Sequence, residues 1–186
     1  MLSLTLANYT APFGDILLVI DDAGRLRALD YPDHRTRMHR LLREHCGEHV
    51  LSPGPLPPDL ADKLDRYFRG ELTALENVEV ITAGTDLQEK VWAALRAIPA
   101  GETRSYGQLA KELGMNDPLA AREVGEVNNA NPIAIVTPCH RVIAKNGELK
   151  GYAGGVHRKK WLLEHEHALP MPPAKAELPM AQLPGF

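Results

Sequence analysis

Ile135-Val136-Thr137-Pro138-Cys139-His140-Arg141-Val142-Ile143 sets a cysteine, a histidine and an arginine between two apolar runs. The β-branched residues on either side predict strand, and Pro138 removes a backbone donor, so the thiol is expected at a break in a ladder. A thiol attacks only as thiolate, and both His140 and Arg141 would favour that form electrostatically. Adjacent strand residues point to opposite faces, so His140 can reach Cys139 only through a turn or a bridging water. A single cysteine in an apolar run is more often an inert buried side chain, so the rest of the chain has to decide.

Upstream of this stretch the signals are helical. Thr85-Asp86-Leu87-Gln88 reads as a capping box opening a helix with Leu87, Val91, Leu95 and Ile98 as its apolar stripe, stopped by Pro99 and Gly101. Ser105-Tyr106-Gly107-Gln108 repeats the device for a short helix to Leu113. Gly114 ends that helix, Asp117 can cap the next, and Pro118 takes its first position. Two short helices joined in this way suggest a helix-turn-helix. On the second, Ala120, Val124 and Val127 share one side, while Arg122, Gly125 and Asn129 face the other.

Downstream, Ala144-Lys145-Asn146-Gly147-Glu148 predicts a hairpin, so a two-stranded wing is expected after the helices. Gly151-Tyr152-Ala153-Gly154-Gly155 reads as a flexible loop without the spacing of a nucleotide-binding motif. A last amphipathic helix carries Arg158-Lys159-Lys160-Trp161-Leu162-Leu163 and ends near His165-Glu166-His167. Residues 169–186 hold five prolines and no periodicity, which predicts a disordered tail.

The first half alternates like a sheet: Leu2, Leu4 and Leu6, then 16–20, then 26–31, with Asp22-Ala23-Gly24 as a hairpin turn. Helices are expected over 34–46 and 59–69, separated by the proline-rich loop 52–58. No site is read in this half. Asp21, Asp22 and Asp30 fit solvated turn positions better than a metal cluster, and the irregular spacing of His34, His39, His45 and His49 fits a solvated helix face better than zinc.

A chain of 186 residues, 44% hydrophobic and 24% charged, suits one large or two small soluble domains. A boundary is expected near Ala83-Gly84. Two distant cysteines, Cys46 and Cys139, and an N-terminus without signal-peptide features predict a reducing cytoplasm; no run approaches a membrane span. The net charge of −3 hides an uneven distribution. Residues 1–85 carry nine basic and thirteen acidic side chains, whereas 139–160 carry Arg141, Lys145, Lys150, Arg158, Lys159 and Lys160 against Glu148 alone. A local basic surface is plausible there.

Pro-Cys-His-Arg-Val at 138–142, with a helix-turn-helix before it and a glycine-rich loop and basic helix after it, resembles the O6-alkylguanine-DNA alkyltransferases. The similarity runs over about residues 84–168, through Gly84-Thr85-Asp86, Val91-Trp92, Ile98-Pro99, Gly101-Glu102-Thr103, Ser105-Tyr106, Asn131-Pro132 and Gly151-Tyr152. Residues 1–80 match by general layout only, where the family carries a ribonuclease-H-like α/β domain, expected here over 1–83. Residues 84–168 would be a mainly α catalytic domain with a winged helix-turn-helix.

The resemblance implies that Cys139 accepts the alkyl group, linked through water to His140, which Glu166 orients. Tyr106 would hydrogen-bond the departing guanine, and Asn131 would brace the turn before the cysteine. Arg122 would fill the gap left by the extruded nucleotide, with further DNA contacts from Ala121, Gly125, Arg141 and Tyr106. Tyr152, Ala153, Gly154 and Val142 would line the base pocket. The implied partner is alkylated double-stranded DNA, bound by a cytoplasmic monomer without cofactor, metal or membrane contact. Glu123 and Glu126 depart from the family's alanine- and glycine-lined recognition helix. They are expected to weaken DNA binding, and Glu126→Gly to tighten it.

Other readings of the same residues are a lesion-sensing DNA-binding module without alkyl transfer, a winged-helix regulator, and a cysteine hydrolase. The sensing proteins of the family replace the cysteine, a regulator has no use for Pro-Cys-His-Arg, and a hydrolase requires an oxyanion site.

Overall fold

The computed structural model describes residues 1–169, so all but the first residue of the expected tail lies outside the described residues. Strands β1 (Leu2–Ala11), β2 (Gly14–Asp21) and β3 (Leu26–Asp30) form an antiparallel meander, and β4 (His49–Pro53) returns parallel to β1, giving the order β3-β2-β1-β4. The run Ile16-Leu17-Leu18-Val19-Ile20 is buried throughout because both faces of the sheet are covered. Leu17 and Val19 pack with Met38 and Leu42 of α1 (Arg35–Cys46), whereas Ile16, Leu18 and Ile20 join the main core on the opposite face. That core takes Leu60, Leu64 and Tyr67 from α2 (Pro58–Phe68) and continues into the second half of the chain. It crosses position 83 without interruption.

Asp21 and Asp30 are not solvated turn residues as expected. Asp21 is ion-paired to Arg25 and Arg27, and Asp30 lies 2.6 Å from the Arg37 guanidinium. A buried carboxylate without such a partner would be costly, which is why both sit against arginines.

In the second half, α3 (Asp86–Ala97) opens with the Thr85–Gln88 capping box. Its buried stripe is Val91, Trp92 and Leu95; Leu87 is exposed, and Trp92 takes the inward place expected for it. The Ser105–Gln108 box opens α4 (Tyr106–Glu112). The next helix, α5 (Ala120–Asn129), begins two residues beyond Pro118, because Asp117 caps a preceding turn by accepting from Leu119 N at 2.7 Å. Val124 and Val127 face inward as the wheel requires, and Trp92 Nε1 donates to Val127 O at 3.1 Å, tying α3 to α5.

The strand expected across 135–143 is replaced by tight turns. The chain leaves α5 and docks on the free edge of β3, where Leu29 N donates to Pro132 O at 3.0 Å and Ala134 N to Leu29 O at 2.9 Å. Val136 N then bonds Ala134 O around Ile135, a β-branched residue held at φ 67°, and Cys139 N bonds Thr137 O around Pro138 at φ −82°, ψ 65°. Two such three-residue turns cannot continue a ladder. Cys139–Arg141 forms one 3-10 turn, and only β6 (Val142–Ile143) is extended, pairing in parallel with β5 (Arg104–Ser105). The expected wing is also corrected: Ala144 to Glu148 closes as a turn, but among the described residues no second strand follows it. Helix α6 (Val156–His165) completes the fold, and no helix among the described residues is long and apolar enough to cross a membrane.

Candidate active site

Cys139 begins the 3-10 turn with 5% of its surface exposed. Asn131 holds the approach to it: its amide donates to Thr137 O at 2.8 Å and Ile133 O at 3.3 Å, and its carbonyl accepts from Ile133 N at 3.0 Å. Asn128 at the end of α5 donates to Cys139 O at 3.4 Å. The Cys139 turn is therefore fixed from the α5 side as well as from β3.

Because the turn is helical, His140 points into the protein, where it is fully buried. Its Nε2 lies 2.9 Å from Glu166 Oε1, at the residue that closes α6. Glu166 also accepts from Tyr67 Oη at 2.7 Å, from Arg141 Nε at 2.9 Å and from Arg141 Nη2 at 2.9 Å. Burial alone would raise its carboxyl, but His140 and Arg141 outweigh it and hold Glu166 far below the usual carboxylate range. An ionised carboxylate only accepts, so the hydrogen on His140 is assigned to Nε2. Nδ1 is left as the acceptor, and among the described residues it has no hydrogen-bond partner. Burial lowers the imidazole's pKa against the pull of Glu166, so the resting ring is neutral.

Burial also pushes the Cys139 thiol up, opposed by Asn131 and by the charges of Arg37 and Lys159. The resting group is a thiol. The expectation that His140 and Arg141 favour the thiolate is corrected: His140 is neutral at rest, and Arg141 is committed to Glu166 and to Ile98 O at 2.5 Å. For the same reason Arg141, expected at the DNA surface, is buried and unavailable to it.

Tyr106, the first residue of α4, is half-buried with its ring beside Gly125 of α5 and its hydroxyl beside Gly151. Burial raises its pKa, and ionisation of Cys139 would add to the rise, so the phenol stays protonated. A surface groove of about 470 Å³ gathers Tyr106, Ala121, Arg122 and Gly125 with Glu126 and Asn129. Arg122 Nε donates to Glu126 Oε1 at 3.0 Å along the exposed face of α5. Tyr152 and Gly154 are buried and Ala153 half-buried, in a loop against Tyr31. The Val142 side chain is buried in the main core, and its carbonyl accepts from Lys159 Nζ at 2.6 Å.

Five contributors escaped sequence reasoning, four of them in the half expected to hold no site. Tyr67 reaches Glu166, Tyr31 reaches Tyr152, and Arg37, anchored by Asp30, donates to Asn129 O at 2.6 Å and Asn131 O at 2.9 Å. Nothing local in the sequence marks these contacts. The fifth, Lys159, did leave a signal: it stands three and four residues before Leu162 and Leu163, on the inward stripe of α6. Burial brings its pKa down to about 8.

A buried thiol on the turn that carries a histidine bonded to an ionised glutamate, near an exposed helix bearing Arg122 among small residues and two glutamates, fits a cysteine-based group-acceptor protein. Comparisons give the family. Residues 86–168 match the family described as 6-O-methylguanine DNA methyltransferase, DNA binding domain. A methylated-DNA--protein-cysteine methyltransferase of Salmonella typhimurium is 49% identical over 170 residues, covering 89% of this chain and 97% of that protein. The crystal structure of Mycobacterium tuberculosis OGT in complex with DNA superposes with a TM-score of 0.73 at 41% identity, over 88% of this chain and 93% of that one. The Pyrococcus kodakaraensis O6-methylguanine-DNA methyltransferase matches with a TM-score of 0.64 at 29% identity, over 88% of this chain and 98% of that one. The chain belongs to the methylated-DNA--protein-cysteine methyltransferase family.

Proposed function

We infer that this protein repairs DNA by moving an alkyl group from O6 of guanine to Cys139 Sγ, once per molecule. The observation that carries the reading is the 2.9 Å contact of His140 Nε2 with Glu166, which leaves Nδ1 as the acceptor of the ring. Through one bridging water, Nδ1 takes the thiol proton; the imidazolium so formed is stabilised by the adjacent carboxylate. The thiolate attacks the alkyl carbon, the C–O bond breaks with its electron pair on guanine, and guanine takes up a proton equal to the one the thiol lost. The Tyr106 hydroxyl hydrogen-bonds the leaving base. The thioether has no ready leaving path, so the protein is consumed. A sensing module without transfer would have no use for this proton path.

The alkyl carbon is inaccessible in stacked DNA, so the nucleotide must rotate out of the duplex. Arg122 fills the gap, Ala121 and Gly125 permit close approach of α5, and Tyr152, Ala153 and Gly154 line the base pocket with the Val142 backbone. Residues 1–83 act as a ribonuclease-H-like domain and 84–168 as the catalytic domain, with α4 and α5 as a helix-turn-helix. The protein works as a cytoplasmic monomer without cofactor.

The test is titration of the protein with a duplex carrying radiolabelled O6-methylguanine. Label on protein should reach a plateau at one equivalent; continued turnover, or no label on protein, rejects the reading.

A further inference from the structure

The loop 151–155 contains three glycines and only one large side chain, so it has little packing of its own with which to hold a shape. The first half of the chain supplies what it lacks. Tyr31, directly after β3, is fully buried and shares a 2.8 Å hydrogen bond between its hydroxyl and that of Tyr152, with the rings edge to face. The backbone at Gly154 comes close to the edge of the Tyr31 ring: a Cβ there would stand 2.2 Å from Tyr31 Cε2 and 2.7 Å from Tyr152 Cε1, so no other residue fits without a shift. Above the same ring, 4.2 Å from its centroid, sits the Arg158 guanidinium. Its Nη1 donates to Gly154 O at 2.8 Å, and its two terminal nitrogens hold the Asp33 carboxylate at 2.8 and 3.1 Å.

The other end of the loop meets the reaction machinery. A Cβ on Gly151 would stand 3.6 Å from the Tyr106 hydroxyl. The loop therefore spans from Tyr106 to Tyr31. Cys139, Tyr31 and Tyr152 are buried in the same core cluster, with Tyr106 packed against it.

We propose that Tyr31, Asp33 and Arg158 form a clasp through which the sheet half of the chain pre-shapes the 151–155 loop, and that this clasp sets how tightly the alkylated base is held. These are positioning residues, and the proposal rests on the alkyltransferase reading of the site. A loop fixed before binding spends less of the interaction on ordering itself, so loosening it weakens base binding while leaving thiol chemistry unchanged.

The experiment uses the full chain and O6-benzylguanine as a free base, which isolates the pocket from DNA contacts. Single-turnover rates against base concentration give a half-saturating concentration and a limiting rate. The rate of Cys139 carboxymethylation by iodoacetate reports thiol reactivity without the pocket. Tyr31→Phe leaves the Tyr152 hydroxyl unpaired and should raise the half-saturating concentration on the order of tenfold. Arg158→Ala, a truncation in the first turn of α6, should do the same. Arg158→Lys should restore little, because lysine cannot hold Gly154 and Asp33 together. The limiting rate and the carboxymethylation rate should stay within about twofold of the parent, below the tenfold that 1.4 kcal/mol represents. An unchanged half-saturating concentration in both Tyr31→Phe and Arg158→Ala overturns the clasp. So does a fall in limiting rate matched by an equal fall in carboxymethylation. Absence of transfer by the parent protein would instead remove the alkyltransferase reading, and the clasp with it.

Discussion

The Nε2 of His140 and the Oε1 of Glu166 lie 2.9 Å apart, both side chains wholly buried, and this one contact settles which nitrogen of the ring carries hydrogen. Glu166→Gln removes the charge that stabilises the imidazolium. Alkyl transfer should slow by a factor of about 10² or more, the range general-base catalysis contributes. Tyr67→Phe removes a donor to the same oxygen but leaves both charges, and should cost less than about tenfold. Single-turnover transfer from an O6-methylguanine duplex measures both. Equal rates for Glu166→Gln and the parent would show that His140 is not the base.

The same carboxylate makes stability depend on pH. In the unfolded chain Glu166 takes up a proton near its ordinary value of 4.5; in the folded protein it does so only far lower, because His140 and Arg141 outweigh the effect of burial. The unfolded state thus binds more protons in that window. The contribution is complete above pH 4.5 and drains away as the pH falls below it. Urea midpoints for the parent and Glu166→Gln should differ most at pH 6 to 7 and converge toward pH 3. A constant difference across that range would contradict the assignment.

Lys159 should tune the thiol. Its ammonium donates to Val142 O at 2.6 Å and Lys150 O at 3.2 Å, and its charge lowers the pKa of Cys139 against burial. In Lys159→Met the pH profile of carboxymethylation should move to higher pH, and transfer at pH 7 should slow on the order of three- to tenfold. Because burial brings Lys159 down to about 8, its help fades as the pH rises through that value. A profile superimposable on the parent's would exclude the electrostatic role.

On α5, Arg122 and Glu126 are both largely exposed, so their pair contributes little stability. Its consequence lies in the charge presented to DNA. Glu126→Ala should bind undamaged duplex more tightly, by about three- to tenfold at low salt, with the gain shrinking as salt rises. Fluorescence anisotropy at two salt concentrations decides this; equal affinities at low salt would mean that the carboxylate faces away from the phosphates.

Local rules were enough where the chain's own periodicity or chemistry decides: both capping boxes, the α5 stripe and the three-strand meander were legible. The stretch around Cys139 was not, because β-branched flanks favour strand while the geometry is set by Asn131 and by docking on Leu29. Such contacts leave no periodic trace. Likewise Cys139 and His140 stand out in the motif itself, Glu166 only through the family resemblance, and Tyr67 and Tyr31 read only as members of apolar runs. A hydroxyl that crosses from one half of the chain to the other has no sequence signature. Arg141 goes to the DNA surface only on the family resemblance, and nothing near it in sequence shows otherwise; the buried carboxylate that claims it lies 25 residues away.

The central claim is that Cys139 keeps the alkyl group. Intact and peptide mass spectrometry after incubation with a duplex bearing one O6-methylguanine tests it directly, with Cys139→Ala alongside. The expected result is one methyl per protein, on the peptide containing Cys139 and absent from the mutant. An unchanged mass for a protein that still prefers lesion-bearing DNA, or a methyl on any other residue, would contradict the account.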